Sequence, residues 1–192
     1  GTESLLRFIE ALSADTKQNA REQIDIIPLV NPWGWIHDIR FNQMGRDINR
    51  DFAAFQSQEA RLVRDFARGK RYDLISDHHE DPGGKGFYVY QYGMRSTTLS
   101  RAIIDAQREH GYPIEQDVTI VVLRTKDGLI DVPYPGLWYM RLTRQLSITN
   151  YFRLHNGRRV YTVETPGGLP MDVRLRMHGT ALDMLLEGVG GG

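Results

Sequence analysis

Three polar segments of the sequence contain residue types that could carry chemistry. They read "NPWGWIHDIRFNQMGRDINRDF" (residues 31–52), "SDHHEDP" (76–82) and "VETPGG" (163–168). Each segment follows an apolar stretch of strand length. Ligands of open α/β sheets bind beyond the carboxyl ends of the strands. We therefore expect the three segments to meet at one edge of a sheet and to form one site there.

The two histidines of "SDHHEDP" are candidates for a metal ligand. A neutral imidazole at a strand end suits Zn²⁺, and neighbouring carboxylates can orient it. Successive side chains of a strand point to opposite faces, so only one of His78 and His79 should face the site. The alternative is a pair of polar loop histidines that bind no metal.

Glu164, Asn49 and Arg50 are candidates for the other roles. Alternation along "VYTVE" places Glu164 on one face with Val160 and Thr162, where its carboxylate could act as a general base. A solvated residue at a strand end is the alternative. Asn49 and the rigid fork of Arg50 could bind a carboxylate, or they could belong to an ordinary turn with surface ion pairs.

Strand-like and helix-like stretches alternate along the chain. The hydrophobic pattern predicts helices over 3–13, 57–69, 97–111 and the later part of 169–188, and strands over 24–30, the start of 71–84, 86–93, 118–123 and 157–168. This alternation predicts an α/β, three-layer domain with a mixed, largely parallel central sheet flanked by helices. We expect a single domain over 1–188 and a flexible tail over 189–192.

The composition restricts the partners. The chain has 24 basic and 24 acidic side chains, so no basic excess favours nucleic acid. No run of about 18 apolar residues occurs, so we expect no membrane span. Without cysteine, disulfides and thiolate metal sites are excluded, and any metal would take His, Asp or Glu ligands. The compartment stays open.

Together, the three segments resemble the zinc carboxypeptidase family, which includes murein-peptide amidases. "NPWGWIHDIRFNQMGRDINRDF" resembles the signature Asn-Pro-x-Gly, then Arg, then Gly-x-Asp-aliphatic-Asn-Arg-(Asn/Asp)-Phe. "DHHEDP" resembles the family's Asp-(Leu/Ile)-His-Glu segment, and "VYTVETPGGLPMDVRLRMHGTALDMLL" resembles its C-terminal block. The order and rough spacing also match. The resemblance covers nearly the whole chain and implies a zinc-peptidase-like catalytic domain.

The resemblance assigns the first polar segment (residues 31–52, called the polar loop below) to substrate binding. It implies that Asn49 and Arg50 bind the free carboxylate of a peptide or peptide-like substrate. Arg40 matches the arginine that polarises the scissile carbonyl and stabilises the oxyanion, and Arg46 is a weaker candidate for that role. Asp47 is expected to support the arginines rather than to contact substrate.

The resemblance assigns zinc as the cofactor and metal-activated hydrolysis as the reaction. His79 matches the zinc ligand by the Asp-x-His-Glu register, and His78 stays open because a Ser-x-His register would select it. Glu164 matches the general base that takes a proton from water.

One part of the family pattern is absent, because the chain contains no His-x-x-Glu pair. In relatives, this pair lies just before a helix like "LLRFIEAL". We therefore expect an N-terminally truncated fragment that lacks the first sheet strands, with the second ligand either Glu3 or a residue upstream. One imidazole cannot hold zinc tightly when three protein ligands are needed, so we expect the isolated chain to be inactive.

Several features stay open. The substrate-capping tyrosine could be Tyr134, Tyr139 or Tyr151, and "DVPYPGLWYM" is expected to be a mobile loop. Two other functions compete with the peptidase: an N-acyl amino acid deacylase of the succinylglutamate desuccinylase or aspartoacylase type, and a catalytically dead module that binds peptide C-termini. Side-chain specificity and oligomeric state stay open as well.

Overall fold

A computed structural model describes residues 2–14, 23–116, 119–120 and 123–190. The first elements are α1 (Thr2–Ala14), α2 (Pro32–His37), a 3₁₀ turn (Ile48–Arg50), α3 (Gln58–Phe66), β1 (Tyr72–Asp81), β2 (Tyr88–Tyr92) and α4 (Thr98–Glu109). They are followed by β3 (Thr119–Ile120), β4 (Leu123–Arg124), β5 (Leu129–Val132), α5 (Tyr134–Leu142), α6 (Ile148–His155), β6 (Gly157–Pro166) and α7 (Met171–Gly190).

The central sheet has four strands in the order β1-β6-β2-β5. β1 runs parallel to β6, and β2 runs parallel to β5, whereas β2 and β6 are antiparallel. The short strands β3 and β4 form a separate antiparallel pair. The α/β prediction with a mixed, mostly parallel sheet is therefore confirmed.

Helices cover both faces of this sheet. On one face, α4 and α7 bury Ile103, Ile104, Met177 and Leu185 against Val163 of β6. On the other face, side chains of α5 and α6 pack over Tyr88, Tyr92, Ile130 and Val160. A third apolar cluster joins the 3₁₀ turn to α3 and α6. Of the candidate residues, His79 and Glu164 lie on the α5–α6 face, toward the carboxyl ends of β1 and β6.

Side-chain caps fix where the helices around this face begin. Asn31 accepts a hydrogen bond from the Gly34 amide at the start of α2. Ser57 and Ser147 cap α3 and α6 in the same way. Each cap satisfies a backbone donor that has no partner within its helix.

Some element predictions were wrong. Residues 24–30 form no strand, although their sequence is strand-like. The expected loop around Tyr134 is helical, because Pro133 precedes helix α5 and Pro135 lies in its first turn, where a missing N–H costs nothing. The predicted strand over 118–123 is a short β3–β4 hairpin, with 118 and 121–122 outside the described residues. Helix α7 reaches Gly190, so part of the expected tail is helical, and 191–192 lie outside the described residues.

Candidate active site

Glu164 lies in one row with residues of both neighbouring strands. His79 of β1 is its register partner on the parallel side, and Tyr88 of β2 is its partner on the antiparallel side. Paired residues of neighbouring strands project to the same face. The sheet therefore brings His79 and Glu164 together, although 84 positions separate them in the sequence.

Asp77 holds the imidazole of His79. The two side chains share one face of β1, and Nε2 of His79 lies 2.7 Å from Oδ2 of Asp77. Burial opposes the charged imidazolium, but the charge and hydrogen bond of Asp77 and the charge of Glu164 outweigh it and raise the pKa of His79 to about 9. This contact uses Nε2 and leaves Nδ1 as the ring nitrogen that can meet another group.

Glu164 is a carboxyl group poised near neutrality. Burial is the largest cause, and together with the charges of Asp77 and Asp81 it raises the pKa of Glu164 to about 7, while His79 and Arg40 act in the opposite direction. A carboxyl group with such a pKa can both accept and release a proton at neutral pH. The hydroxyl of Tyr88 donates a hydrogen bond to Asp81 (2.9 Å), which joins β1 to β2 beside Glu164.

His78 points to the opposite face, as alternation predicts. Its Nε2 lies 2.6 Å from Oγ of Ser76, and its Nδ1 lies 3.1 Å from Nδ1 of His178 in α7. Burial lowers the pKa of His78 to about 3, so the ring is neutral. His178 is fully buried and contacts Thr165, so its ring is part of the packed core. His78 thus belongs to the core beneath α7 and not to the face of Glu164.

Acidic side chains shape the polar loop. Asp47 caps the 3₁₀ turn through the Asn49 amide (3.1 Å) and accepts a hydrogen bond from Nε of Arg40 (2.8 Å). The buried carboxylate of Asp51 accepts hydrogen bonds from the amides of Gln56 and Ser57 and from the Ser57 hydroxyl. Ile48 and Phe52 are buried beneath the loop. Part of the loop's polarity therefore serves folding, and Asp47 supports Arg40 as expected.

Asn49 and Arg50 differ in how they are held. Oδ1 of Asn49 accepts a hydrogen bond from the Ile148 amide (3.1 Å), which fixes the side-chain amide and leaves its Nδ2 donors for another group. Arg50 is exposed, and over the described ranges its guanidinium has no hydrogen-bond or ion-pair partner. Burial and the charges of Glu164 and Asp81 raise the pKa of Tyr90 to about 12, and the charge of Arg50 acts against them. Tyr90 thus lies within electrostatic reach of both Arg50 and Glu164.

The two candidate electrophilic arginines also differ. The charge of Arg40 lowers the pKa of Glu164, so the Arg40 guanidinium lies within electrostatic reach of that carboxyl group. The guanidinium of Arg46 bonds to the side chain of Gln56 instead. The charge of Arg40 is thus felt at Glu164, whereas Arg46 is held by its contact with Gln56.

A zinc ion requires several protein ligands that lie close together. In the part of the chain that the structure describes, no group of three His, Asp or Glu side chains lies close enough to hold one. Glu3 lies in the first turn of α1 and pairs with Arg7, and no contact joins it to His79. These residues supply one imidazole and not a complete tetrahedral set, so they do not by themselves fit zinc.

The three candidate capping tyrosines have different surroundings. Tyr151 packs edge-on against Phe55 and stacks on His155, within a packed aromatic cluster. Tyr134 lies against Gly93 and beneath the guanidinium of Arg153. Tyr139 is 67% exposed, which is the largest exposed fraction of the three.

Sequence reasoning missed the tyrosines of β2. Tyr88, Tyr90 and Tyr92 alternate along "YVYQY", and this alternation could have placed them on one face. It could not have shown that this face adjoins Glu164, because the register between β2 and β6 is a property of the assembled sheet.

Among the helices that the structure describes, none has the length and apolar character needed to span a membrane.

Comparisons with known proteins give a fold relationship. No family model matches the sequence, and no curated protein matches it. Solved structures do match, and three of them are described as a "putative metallopeptidase". The one from Shewanella amazonensis SB2B has a TM-score of 0.78 and 25% identity over 98% of this chain and 71% of its own. The one from Shewanella baltica OS155 has a TM-score of 0.80 and 26% identity over 97% and 70%.

A third structure, from Shewanella denitrificans OS217, has a TM-score of 0.70 and 24% identity. It covers 84% of this chain and 60% of its own. The chain therefore shares its fold with these three solved structures. It spans 60 to 71% of their length.

Proposed function

We propose that this chain carries part of the active site of a zinc-dependent hydrolase of the carboxypeptidase type. Its reaction is cleavage of a peptide or related amide bond near a free carboxylate. The observation that carries the proposal is the pairing of His79 with Glu164 on adjacent parallel strands. Arg40 and Arg50 act electrostatically on the same cleft. The two neighbours with at least 25% identity, described as metallopeptidases, support a peptidase over other hydrolases.

The substrate carboxylate would be held by two donors with different supports. The guanidinium of Arg50 offers a planar fork that matches a carboxylate and has no competing partner among the described residues. The Nδ2 group of Asn49 points its donors away from the bond that its oxygen makes to Ile148. Together they would bind the carboxylate and set the distance to the scissile bond.

Glu164 and Arg40 would serve the chemical step. With a pKa of about 7, Glu164 can accept a proton from the attacking water and release it to the leaving amine. Arg40, oriented by Asp47, would stabilise the negative charge that develops on the carbonyl oxygen. Zinc, if it were held by His79 and two further protein ligands, would polarise the carbonyl and lower the pKa of a bound water.

His79 is the residue of this chain that would bind the metal. A catalytic zinc centre needs three protein ligands, so two more must come from polypeptide outside the described residues. The proposal thus includes the expectation that this chain is part of a longer protein. Asp77 would orient the ring of His79, as carboxylates commonly do for metal-binding imidazoles.

Calorimetry with short peptides tests the carboxylate site without requiring turnover. N-benzoylglycyl dipeptides with a free carboxylate should bind, and the same peptides with a C-terminal amide should bind at least about 10-fold more weakly, because a charged hydrogen bond is lost. Arg50→Ala should abolish this difference, whereas Arg46→Ala should preserve it. Equal affinity for acid and amide would contradict the proposal.

N-acyl aspartate and N-acyl glutamate separate the nearest alternative. If these compounds bind and the dipeptides do not, a deacylase fits the site better. A binding module without catalysis would need neither His79 nor a raised Glu164 pKa. Carboxylate binding that does not change in His79→Ala and Glu164→Gln, together with no hydrolysis by the longer protein loaded with zinc, would favour that module.

A further inference from the structure

A basic cavity lies at the end of the sheet opposite the candidate active site. Its volume is about 340 Å³, and it lies between the carboxyl ends of α3 and α6, where β1 and β6 begin. β1 starts at Tyr72, and His79 follows seven residues later, which corresponds to about 23 Å along an extended strand. The cavity is therefore separate from the cleft that contains Glu164.

The charges that line this cavity are positive. They belong to four side chains, Arg64, Arg68, Lys70 and Arg71. None of the described lining residues is acidic. Outside the lining, one oxygen of Asp65 pairs with both Arg64 and Arg68, and Asp25 pairs with Lys70. Four positive charges face two negative ones, which leaves an excess of two.

The backbone brings these side chains together. Gly69 has a φ of +75°, a left-handed conformation that favours glycine, and it turns the chain directly after α3. Nδ2 of Asn156 donates hydrogen bonds to the carbonyl oxygens of Ala67 (2.8 Å) and Lys70 (3.0 Å). These bonds tie the end of α6 to the turn. The wall of the cavity is thus fixed by specific contacts between two helix ends.

Two hydrogen-bond donors in the cavity are available to a ligand. The guanidinium of Arg71 donates to the His155 carbonyl oxygen, and within the described ranges it has no carboxylate partner. The hydroxyl of Tyr151 has no hydrogen-bond partner among the described residues. Burial raises the pKa of Tyr151, and the charges of Arg64 and Arg68 act against this effect. The hydroxyl is therefore protonated at neutral pH and lies within electrostatic reach of both arginines.

Helix ends explain only part of this cluster. Cations near the carboxyl end of a helix are stabilised by its dipole, and Arg64 lies in the last turn of α3. Arg71 lies beyond the turn at Gly69, outside any helix. Like charges gathered around one space repel one another, and a bound anion would offset that repulsion.

We propose that this cavity binds a phosphate group, either as free phosphate or as the end group of a small phosphate monoester. Such a group carries about 1.5 to 2 negative charges at neutral pH and three acceptor oxygens. Its charge matches the excess of two positive charges, and guanidinium groups bind phosphate oxygens through paired hydrogen bonds. The hydroxyl of Tyr151 adds a neutral donor. The proposal depends neither on metal binding nor on the proposed function.

Calorimetry of the 192-residue chain with inorganic phosphate, at pH 7.5 and low ionic strength, tests this site. Arg68→Ala and Arg71→Gln should each weaken phosphate binding at least about 10-fold, because each removes a charged hydrogen bond. Arg158→Ala is the matched control, since this exposed arginine lies near the start of β6, carries the same charge and does not line the cavity. Arg50→Ala should also leave phosphate binding unchanged, which separates this site from the proposed carboxylate site.

Glycerol 3-phosphate and acetate identify the kind of anion. Tight binding of glycerol 3-phosphate would identify a monoester as the occupant, and binding of inorganic phosphate alone would identify free phosphate. Acetate should bind at least about 10-fold more weakly than phosphate, because it carries a single charge.

Four results would overturn the proposal. They are no binding at millimolar phosphate, equal affinity for acetate and phosphate, a loss in Arg158→Ala as large as that in Arg68→Ala, and a loss in Arg50→Ala without one in Arg68→Ala. The third result would indicate an effect of net charge, and the fourth would indicate binding at the carboxylate site. Arg68 is largely exposed, so Arg68→Ala should keep its fold, and the melting temperature of each variant without phosphate checks this.

Discussion

The carboxylate of Asp77 lies 2.7 Å from Nε2 of His79, two positions along the same face of strand β1. The hydrogen bond uses Nε2 of the ring and leaves Nδ1 as the nitrogen that can meet another group. A metal ligand and a buried acid–base group have different requirements, because a metal needs a neutral ring. Without a metal, the same carboxylate favours the imidazolium. His79 therefore combines a high proton affinity with a fixed orientation.

The first prediction concerns the titration of His79. Nuclear magnetic resonance of the ring protons should give His79 a pKa of about 9. Because this value lies above the ordinary 6.5, the Asp77–His79 interaction stabilises the fold fully below pH 6.5 and loses its effect as the pH rises through 9. Asp77→Asn should lower the pKa of His79 and flatten the dependence of the unfolding free energy on pH in this range.

His155 offers a matched control for that titration. It lies on α6 and contacts Tyr151 rather than any carboxylate. The ring-proton signals of His155 at a fixed pH should be the same in Asp77→Asn as in the unsubstituted chain. A His79 ring that titrates at or below 6.5 in the unsubstituted chain would show that Asp77 does not outweigh burial.

The second prediction concerns Glu164. Its pKa rises from 4.5 in the unfolded chain to about 7 in the fold, so the folded state binds the proton more tightly. Stability should therefore fall as the pH rises from 4.5 to 7, and the loss is complete above 7. Glu164→Gln removes this penalty and should stabilise the chain at pH 8, by up to about 3 kcal/mol.

Urea unfolding at pH 4 and pH 8 measures the effect of Glu164→Gln. At pH 4 the carboxyl group is protonated in both states, so the substitution should be nearly neutral. Glu187→Gln, near the end of α7, serves as a comparison that should change stability little at either pH. Destabilisation by Glu164→Gln at pH 8 would mean that the electrostatic attraction between Glu164 and His79 outweighs the cost of burying the carboxylate.

The sequence correctly predicted which face of its strand each sheet residue of the candidate site occupies. It did not predict which side chains surround that residue. Alternation correctly separated His78 from His79, because β1 continues as a regular strand through both residues. Motif spacing indicated Glu164, but its neighbours Tyr88 and Asp81 come from strand register, which the sequence does not encode locally. The sequence motif suggested roles for Arg40, Asp47, Asn49 and Arg50 but none for Asp51, which serves the fold by accepting three hydrogen bonds.

Strand prediction failed over 24–30 for a tertiary reason. The apolar run "IDIIPLV" has the composition of a strand, but a strand needs a partner, and the described sheet gives it none. Helix α5 was missed for a local reason, since Pro133, Pro135 and Gly136 together resemble a loop. Both prolines lie at the start of the helix, where a missing N–H breaks no helical hydrogen bond.

The third prediction separates the two functions of the Asn49 side chain. Asn49→Asp keeps an oxygen acceptor for the Ile148 amide but removes the Nδ2 donors and adds a negative charge. It should leave stability nearly unchanged and weaken the binding of peptide carboxylates by at least about 10-fold. Asn49→Ala removes both groups and should also destabilise the chain by about 1 kcal/mol, because the Ile148 amide loses its partner.

Calorimetry and urea unfolding of both Asn49 variants should be measured side by side. The informative result is the difference between them, since both lose the donors and only Asn49→Ala loses the acceptor. If Asn49→Asp binds the carboxylate as tightly as the unsubstituted chain, the Asn49 side chain only stabilises the start of α6 and does not bind substrate. In that case Arg50 alone would bind the substrate carboxylate.

The last prediction concerns the metal. The described residues provide one imidazole for zinc, and a single neutral ligand cannot replace the water that a zinc ion loses. The 192-residue chain should therefore retain much less than one zinc per molecule after dialysis, by elemental analysis. Zinc at micromolar concentration should leave its melting temperature unchanged, because stabilisation requires concentrations well above Kd. His79→Ala should remove any weak binding that remains, whereas His155→Ala should not. One tightly held zinc ion per chain, lost in His79→Ala, would require a ligand set that the described residues do not contain.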